Sequence, residues 1–267
     1  MPPELVLPIV ITASVAGLCL VLSWIFQEFS WVDRIWSIVP PVYVATFAAN
    51  ADWSDARLNL MTALTVLWGL RLTLNYARKG GYAPGGEDYR WRVLRSRMPR
   101  WAWELFNVGF ISGYQNFLLL LLAMPAWLAW QNRSPLGVLD AIATVGFIAL
   151  LIGETVADQQ QWAFQQDRKA RKLRGEPDGK GFLDTGLWAW SRHPNFFCEQ
   201  GQWWMVYLFG VAAAGTPLNI SILGAGLLTM LFDGSTRFTE SITASKYPLY
   251  KTYQNTVSRM IPWMRRA

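Results

Sequence analysis

The stretch Leu105–Trp130, LFNVGFISGYQNFLLLLLAMPAWLAW, carries no charged side chain and includes the continuous apolar run Phe117–Met124. A helix rises 1.5 Å per residue, so about 20 apolar residues cross a hydrocarbon core about 30 Å thick. The stretch therefore predicts a transmembrane helix and places the chain among all-α membrane proteins.

Six further apolar segments flank this helix. Leu5–Phe26 is uncharged and long enough to span a membrane. It lacks the positive charge and the small-residue cleavage site of a secretory signal. Gly215-Thr216-Pro217 separates the last two segments and predicts a helical hairpin. The remaining segments are Ile35–Asn50 (kinked at Pro40-Pro41), Leu58–Tyr76, Gly137–Val156, Gly201–Ala214 and Leu218–Phe232.

These segments predict one polytopic domain, 1–267, with seven transmembrane helices and cytoplasmic loops that cap a cofactor cavity. Its motif-bearing half covers about 137–267. Of the 24 Lys and Arg residues, 20 fall in three segments on one side of this arrangement, 78–100, 158–192 and 233–267. The loops on the other side hold only Arg57 and Arg133. The positive-inside rule then predicts an outer N-terminus and a cytoplasmic C-terminus, and we favour a bacterial inner membrane over the endoplasmic reticulum.

The composition excludes several other classes of protein. With 52% hydrophobic and 16% charged residues the chain is not intrinsically disordered. Two cysteines and one histidine argue against a disulfide scaffold or a zinc site, and we expect no metal. The sequence contains no Rossmann fingerprint, Walker loop, nucleophile elbow or zincin motif. Any nucleotide must therefore be held by the cytoplasmic segments.

The segment Ser191–Glu199 is the strongest candidate for a functional site. His193-Pro194-Asn195 and Glu199 stand where a helix enters the membrane, a place where polar side chains are costly unless they are paired or functional. Pro194 suits the first turn of that helix, and Glu199 could accept hydrogen bonds from an amide or a ribose hydroxyl. The basic run Arg168–Arg174 fits either a functional site or a surface that contacts anionic lipids. The C-terminal tail fits either phosphate contacts or an interfacial amphipathic helix.

The motif Gly186-Leu187-Trp188-Ala189-Trp190-Ser191-Arg192-His193-Pro194-Asn195-Phe196-Phe197-Cys198-Glu199 resembles the steroid 5-alpha-reductase family, including its bacterial members of the DUF1295 type. Related motifs occur in sterol C14 and delta-7 reductases and in isoprenylcysteine carboxyl methyltransferases. The resemblance extends over nearly the whole chain, through Asp33–Ser37, Trp68–Leu72, Glu87–Trp91, Ala157–Gln160 and Lys246-Tyr247.

This resemblance implies reduction of the delta-4 double bond of a 3-oxo-steroid or a similar lipophilic enone, with NADPH as the hydride donor. Asn195 and Glu199 match the contacts to the nicotinamide or ribose. Asp167, Arg171 and Arg174 match an acidic-basic helix that contacts the adenosine and the phosphates. The cofactor-binding residues that it implies are Asp158, Asp167, Arg171, Arg174, Trp188, Ser191, Arg192, His193, Asn195, Glu199, Arg237, Lys246, Tyr247 and Tyr250.

The group that polarises the ketone is sought among four residues. In the family a Gln-Glu pair and a tyrosine hold the ketone, and Gln27-Glu28 matches the dipeptide. Trp68 occupies the position of the tyrosine, and Tyr114 and Asp33 are nearby substitutes. The candidate catalytic residues are therefore Glu28, Tyr114, Trp68 and Asp33.

Two other functions remain open on the sequence. An S-adenosylmethionine-dependent methyltransferase would share the Arg-His-Pro-Asn stretch, but its cofactor carries no phosphate for the basic residues to bind. A non-catalytic lipid-binding membrane protein is the third. As partners we expect a steroid-like enone and membrane lipids; we expect no nucleic acid, and a monomeric chain.

Overall fold

The computed structural model of the chain describes residues 2–264, and these residues form helices and connections with no β-strand. The α-helices are α1 (Val6–Phe26), α2 (Trp31–Ile35), α3 (Val39–Ala49), α4 (Ala56–Arg78), α5 (Tyr89–Arg95), α6 (Arg100–Phe106), α7 (Gln115–Gln131), α8 (Val138–Leu173), α9 (Pro194–Ala214), α10 (Ile222–Lys246) and α11 (Tyr250–Thr256). The all-helical fold class is thus confirmed for the described residues.

Three helical stretches in the described part of the chain are both long and apolar enough to cross a membrane. They are Pro3–Phe26, Arg100–Gln131 and Val138–Leu173. The apolar helix α3 has only 11 residues, about 16 Å of rise, and the predicted segment Ile35–Asn50 is divided between the end of α2, a turn and α3. Helix length and composition therefore support three membrane-crossing helices among the described residues and do not show all seven predicted spans.

The helix over Arg100–Gln131 is irregular in its middle. Residues Asn107–Tyr114 form a π-helical segment between α6 and α7, and Pro125 lies inside α7. A π-helical turn widens the backbone and is frequently found at functional sites. The predicted span Leu105–Trp130 is therefore present as a helix, but with a change of helical geometry that hydropathy does not encode.

Helix α8 is longer than the predicted span Gly137–Val156. Its 36 residues correspond to about 54 Å of rise, well beyond a hydrocarbon core of about 30 Å. The basic run Arg168–Arg174 largely belongs to this helix. Gly175 follows with a φ of +74°, a left-handed conformation that a glycine adopts without a steric penalty and that commonly ends helices.

Contacts divide the chain into two compact units. The first contains residues 2–144 and 203–227, and the second contains residues 145–202 and 228–264. In the first unit α3 packs against α4 and α7, and α1 packs against α7 and the π-helical segment. Gly69 on α4 lies so close to the Ser37 carbonyl that any β-carbon would overlap it. The predicted turn at Gly215 is confirmed, because Gly215 has a φ of +67° at the end of α9.

Candidate functional site

The motif segment of the second unit is folded around the C-terminal tail. The Ser191 hydroxyl accepts a hydrogen bond from the His193 amide (3.1 Å) and donates one to the Met260 carbonyl (2.8 Å). This side-chain bond satisfies an amide just before α9, and Pro194 then begins the helix with a preset φ. The Arg192 amide also donates to the Ser258 carbonyl. The sequence motif therefore fixes the tail in place.

Arg192 lies at the centre of a buried ion-pair network. Its guanidinium donates to both carboxylate oxygens of Glu240 on α10 (2.7 and 3.1 Å) and to the Gln254 carbonyl (2.7 Å). His193 Nε2 lies 3.0 Å from Glu240 Oε1, and Gln254 Nε2 donates to Glu240 Oε2. Burial alone would raise the pKa of the Glu240 carboxyl, but these hydrogen bonds outweigh it and lower the pKa to about 2. Glu240 is therefore a carboxylate throughout the physiological range.

A cleft of about 570 Å³ opens beside this network. Its lining consists of Arg192, Arg237, Glu240, Ser241, Ala244, Gln254 and Arg259. Arg237 and Arg259 both form ion pairs with Asp233, and the Arg237 hydrogen bond above all lowers the pKa of that carboxyl. Three guanidinium groups face two carboxylates, Glu240 and Asp233, which leaves one positive charge in excess at the cleft. That excess suits an anionic, phosphate-bearing group.

A second basic cluster lies at the end of α8. Arg168 donates to Asp178 and to the Tyr247 hydroxyl, which in turn donates to Asp178. The Arg168 and Tyr247 hydrogen bonds lower the pKa of Asp178 to about 2. Two predicted cofactor residues pair with each other, Asp167 with Arg171, and Arg174 pairs with the exposed Glu176. The predicted acidic-basic helix thus presents its charges as local ion pairs.

Among the predicted nicotinamide contacts, Asn195 has a buried acceptor without a partner. Its side-chain oxygen is buried and accepts no hydrogen bond, although buried amide oxygens are nearly always satisfied. Asn195 and Glu199 are one helical turn apart on α9 and therefore share a face. An amide N–H or a hydroxyl of a ligand would satisfy the Asn195 oxygen.

The other predicted cofactor residues have structural neighbours. Trp188 donates its indole N–H to the Ala157 carbonyl (3.2 Å) and accepts from the Tyr253 hydroxyl through its own carbonyl. Asp158 on α8 is almost fully buried. Tyr250 packs edge-on against Phe182, and Lys246 is the last residue of α10.

The four candidate catalytic residues lie in the first unit, in three different settings. Glu28 pairs with Arg34 (2.7 Å), and Asp33 accepts from the Trp91 indole (2.9 Å). Burial and then the neighbouring Asp88 charge raise the pKa of Asp33. Glu28 and Asp33 therefore belong to one polar cluster at α2.

The two aromatic candidates pack elsewhere in the first unit. Trp68 on α4 lies edge-on to Trp203, with ring centroids 4.8 Å apart, and its indole N–H is buried without an acceptor. Tyr114 is stacked on Phe110 and donates weakly to the Leu227 carbonyl at 3.4 Å. Neither contact joins the Glu28–Asp33 cluster.

Sequence reasoning assigned no individual role to several residues in or beside the cleft. Glu240, Gln254, Arg259 and Asp233 are brought together from α10, α11 and the tail. The one local signal was the charge pattern of α10, where Asp233, Arg237 and Glu240 recur at spacings of four and three and so share a face. Gln160 was also missed as a partner; it accepts from the Leu187 amide, and a β-carbon at Gly186 would overlap its side chain.

Comparison with known proteins places the chain in a family. The model for DUF1295, a family described as protein of unknown function, matches residues 19–257, and the chain belongs to this family. The chain is also 41% identical over 251 residues to an uncharacterized protein of Schizosaccharomyces pombe, an alignment that covers 88% of this chain and 73% of the yeast protein. No solved structure matches the chain.

Proposed function

We propose that the chain is an NADPH-dependent reductase that acts on a conjugated carbon–carbon double bond in a lipophilic ketone, such as a 3-oxo-delta-4 steroid. The observation that carries this proposal is the cleft of the second unit, where Arg192, Arg237 and Arg259 converge beside the motif. The likeness of that motif to the steroid 5-alpha-reductase family supports the same reaction.

The residues fit a phosphate-bearing dinucleotide better than they fit S-adenosylmethionine. Arg237 and Arg259 can bind phosphate oxygens, while Glu240 keeps the Arg192 guanidinium oriented at the cleft. The Asn195 side-chain oxygen is a ready acceptor for a carboxamide N–H or a ribose hydroxyl. A methyl donor without phosphates would leave the arginine-lined cleft unused.

Bound NADPH would supply the hydride. The chain's own task is to hold the cofactor in one orientation, exclude water and hydrogen-bond the ketone oxygen while negative charge develops on it. Among the candidates for that hydrogen bond, Asp33 has a raised pKa and so stays protonated at a higher pH than an ordinary aspartate. Glu28, Trp68 and Tyr114 are the alternatives, to be separated by mutation.

The proposal also assigns a topology. We propose seven spans with the C-terminus in the cytoplasm, because the three segments rich in Lys and Arg then share one side. The three long apolar helices support the membrane setting, and the cytoplasmic arginine clusters would then meet a cytosolic cofactor.

Turnover of an enone tests the reaction directly. We expect purified protein in detergent to oxidise NADPH when progesterone or a related enone is added, seen as a loss of absorbance at 340 nm. Asn195→Ala should raise the KM for NADPH, since the acceptor is lost. A protein that binds NADPH yet oxidises none of a panel of enones would contradict the substrate class.

A further inference from the structure

A buried seam of polar side chains joins α8 to the first half of α9 in the second unit. Glu154 on α8 and Gln202 on α9 are 1% and 0% exposed, and the Gln202 amide donates to Glu154 Oε2 at 2.7 Å. Glu154 follows the apolar stretch 141–153 and lies one helical turn before Asp158, which is 3% exposed. Two carboxyl groups therefore lie on one buried face of α8.

The two helices run antiparallel along this seam. Gly201 lies against Leu150 and Gly153 lies against Cys198, so positions rise on one helix as they fall on the other. Gln161 lies seven residues after Glu154 on α8, and Asn195 lies seven residues before Gln202 on α9, about 10 Å along each helix. Because the helices are antiparallel, both residues lie on the same side of the Glu154–Gln202 pair. The seam thus extends from Gln161 and Asn195 past Asp158 to Glu154.

Three side-chain oxygens along this seam have no hydrogen-bond donor. The side-chain oxygens of Gln161, Asn195 and Gln202 are all buried and accept no hydrogen bond. A buried polar atom left unsatisfied costs about 1–3 kcal/mol, so three along one seam indicate donors that come from outside the chain. The Asn195 acceptor is the one proposed above for the cofactor, so water molecules are the donors required at Gln161 and Gln202. Waters at those two positions, beside two carboxyl groups, can carry protons.

We propose that this seam is the proton path of the reductase and that Glu154 is its terminal relay. This inference rests on the proposed reaction. In that reaction the hydride from NADPH would form a C–H bond at the β carbon, leaving the oxidised cofactor. The carbon–carbon π electrons would pass into an enolate, and the α carbon would then take one proton. Glu154 gives that proton and takes another from the solvent through Asp158. One proton is consumed per NADPH oxidised, as the overall reduction requires.

The Glu154–Gln202 pair suits both protonation states of such a relay. An ionised Glu154 accepts from the Gln202 amide N–H, as in the structure. A protonated Glu154 can instead donate to the Gln202 side-chain oxygen, which has no other partner. The pair therefore keeps a hydrogen bond between its two side chains in either protonation state.

The test compares two substitutions on the same turn of α8. Glu154→Gln keeps the size and a hydrogen bond to Gln202 but cannot release a proton, and Thr155→Val alters a neighbouring exposed side chain. We expect Glu154→Gln to lower kcat at least about tenfold, to increase the solvent deuterium isotope effect on kcat and to leave the Kd for NADPH unchanged. Thr155→Val should match the wild type in all three measurements.

An exchange variant separates a relay from a structural role. Glu154→Gln with Gln202→Glu retains one acid and one amide in the pair, and we expect it to recover part of the lost kcat. Normal kcat in Glu154→Gln would overturn the inference, as would a loss of NADPH binding or a slow exchange variant that is as stable as the wild type. Failure of the proposed function itself would show differently, as wild-type protein that reduces no enone.

Discussion

At the scale of single residues, the second unit depends on carboxylates that are each held by several partners. Glu240 illustrates this, because its carboxylate is held by Arg192, His193 and Gln254 at the same time. None of these partners lies within ten residues of Glu240 in sequence. A buried charge that loses its partner is strongly destabilising, so this carboxylate is a sensitive point for stability and for the proposed cofactor binding.

Glu240 makes the stability of the protein depend on acid pH. Its pKa of about 2 lies below the ordinary value of 4.5, so the folded state binds the proton less readily than the unfolded state does. The stabilisation, on the order of 3 kcal/mol, is complete above about pH 4.5 and is lost as the pH falls toward 2. We expect the free energy of unfolding in detergent to decrease over this window, and Glu240→Gln to remove that contribution. Equal slopes in both proteins would contradict the assignment.

Removal of the Glu240 charge should also destabilise the protein at neutral pH. Glu240→Gln leaves the buried Arg192 guanidinium without a counter-ion, and we expect a loss of about 3–5 kcal/mol. Glu176→Gln is the matched control, since Glu176 forms an exposed ion pair with Arg174, and the melting temperature should stay as in the wild type. Thermal unfolding in the same detergent measures both.

At the scale of elements, an ion pair links the start of α4 to the start of α8 in the first unit. The Arg57 guanidinium donates to both carboxylate oxygens of Asp140 (2.7 and 2.9 Å), and both side chains are 2% exposed. The Ser134 hydroxyl and the Pro135 carbonyl also accept from Arg57. The pair therefore fixes the connection before α8 against α4.

The Arg57–Asp140 pair should show strong coupling in a double-mutant cycle. Arg57→Met leaves Asp140 buried and unpaired, which we expect to cost about 3–5 kcal/mol of unfolding free energy. Arg57→Met with Asp140→Leu replaces the whole pair by apolar groups and should recover most of that loss. An additive double variant, with no recovery, would contradict the pairing.

The elements also show what the sequence predicts and what it cannot. Hydropathy located the helices over 105–130 and 137–156, and the second continues beyond the predicted membrane span to Leu173. A helix does not stop where its side chains become charged, and the first strong helix-ending residue after Val156 is Gly175. The π-helical segment Asn107–Tyr114 was not predicted, since apolar side chains suit either helical geometry.

The candidate site was predictable only in part for a similar reason. The motif Ser191–Glu199 was identified by its residues, whereas Glu240, Gln254 and Arg259 reach the cleft through tertiary packing. A single sequence does not encode such distant pairs in any local pattern. Ser191 and His193 also make structural hydrogen bonds that their sequence context did not reveal.

At the scale of the whole molecule, the proposed topology predicts which residues a membrane-impermeant reagent can reach. In a variant without Cys19 and Cys198, we expect a cysteine introduced at Arg133 to react with an impermeant maleimide in intact cells. A cysteine at Lys251 should react only after permeabilisation. Both positions are exposed in the structure, so access across the membrane alone distinguishes them. The same labelling at both positions would contradict the seven-span proposal.

Cofactor binding is the most direct test of the central claim, because the reaction and the proton path both assume it. Isothermal titration of the purified protein with NADPH, NADH and S-adenosylmethionine measures it without any knowledge of the substrate. We predict binding of NADPH with a clear preference over NADH, weakened by Asn195→Ala and by Arg237→Ala with Arg259→Ala. Binding of S-adenosylmethionine instead, or no binding of NADPH, would contradict the account.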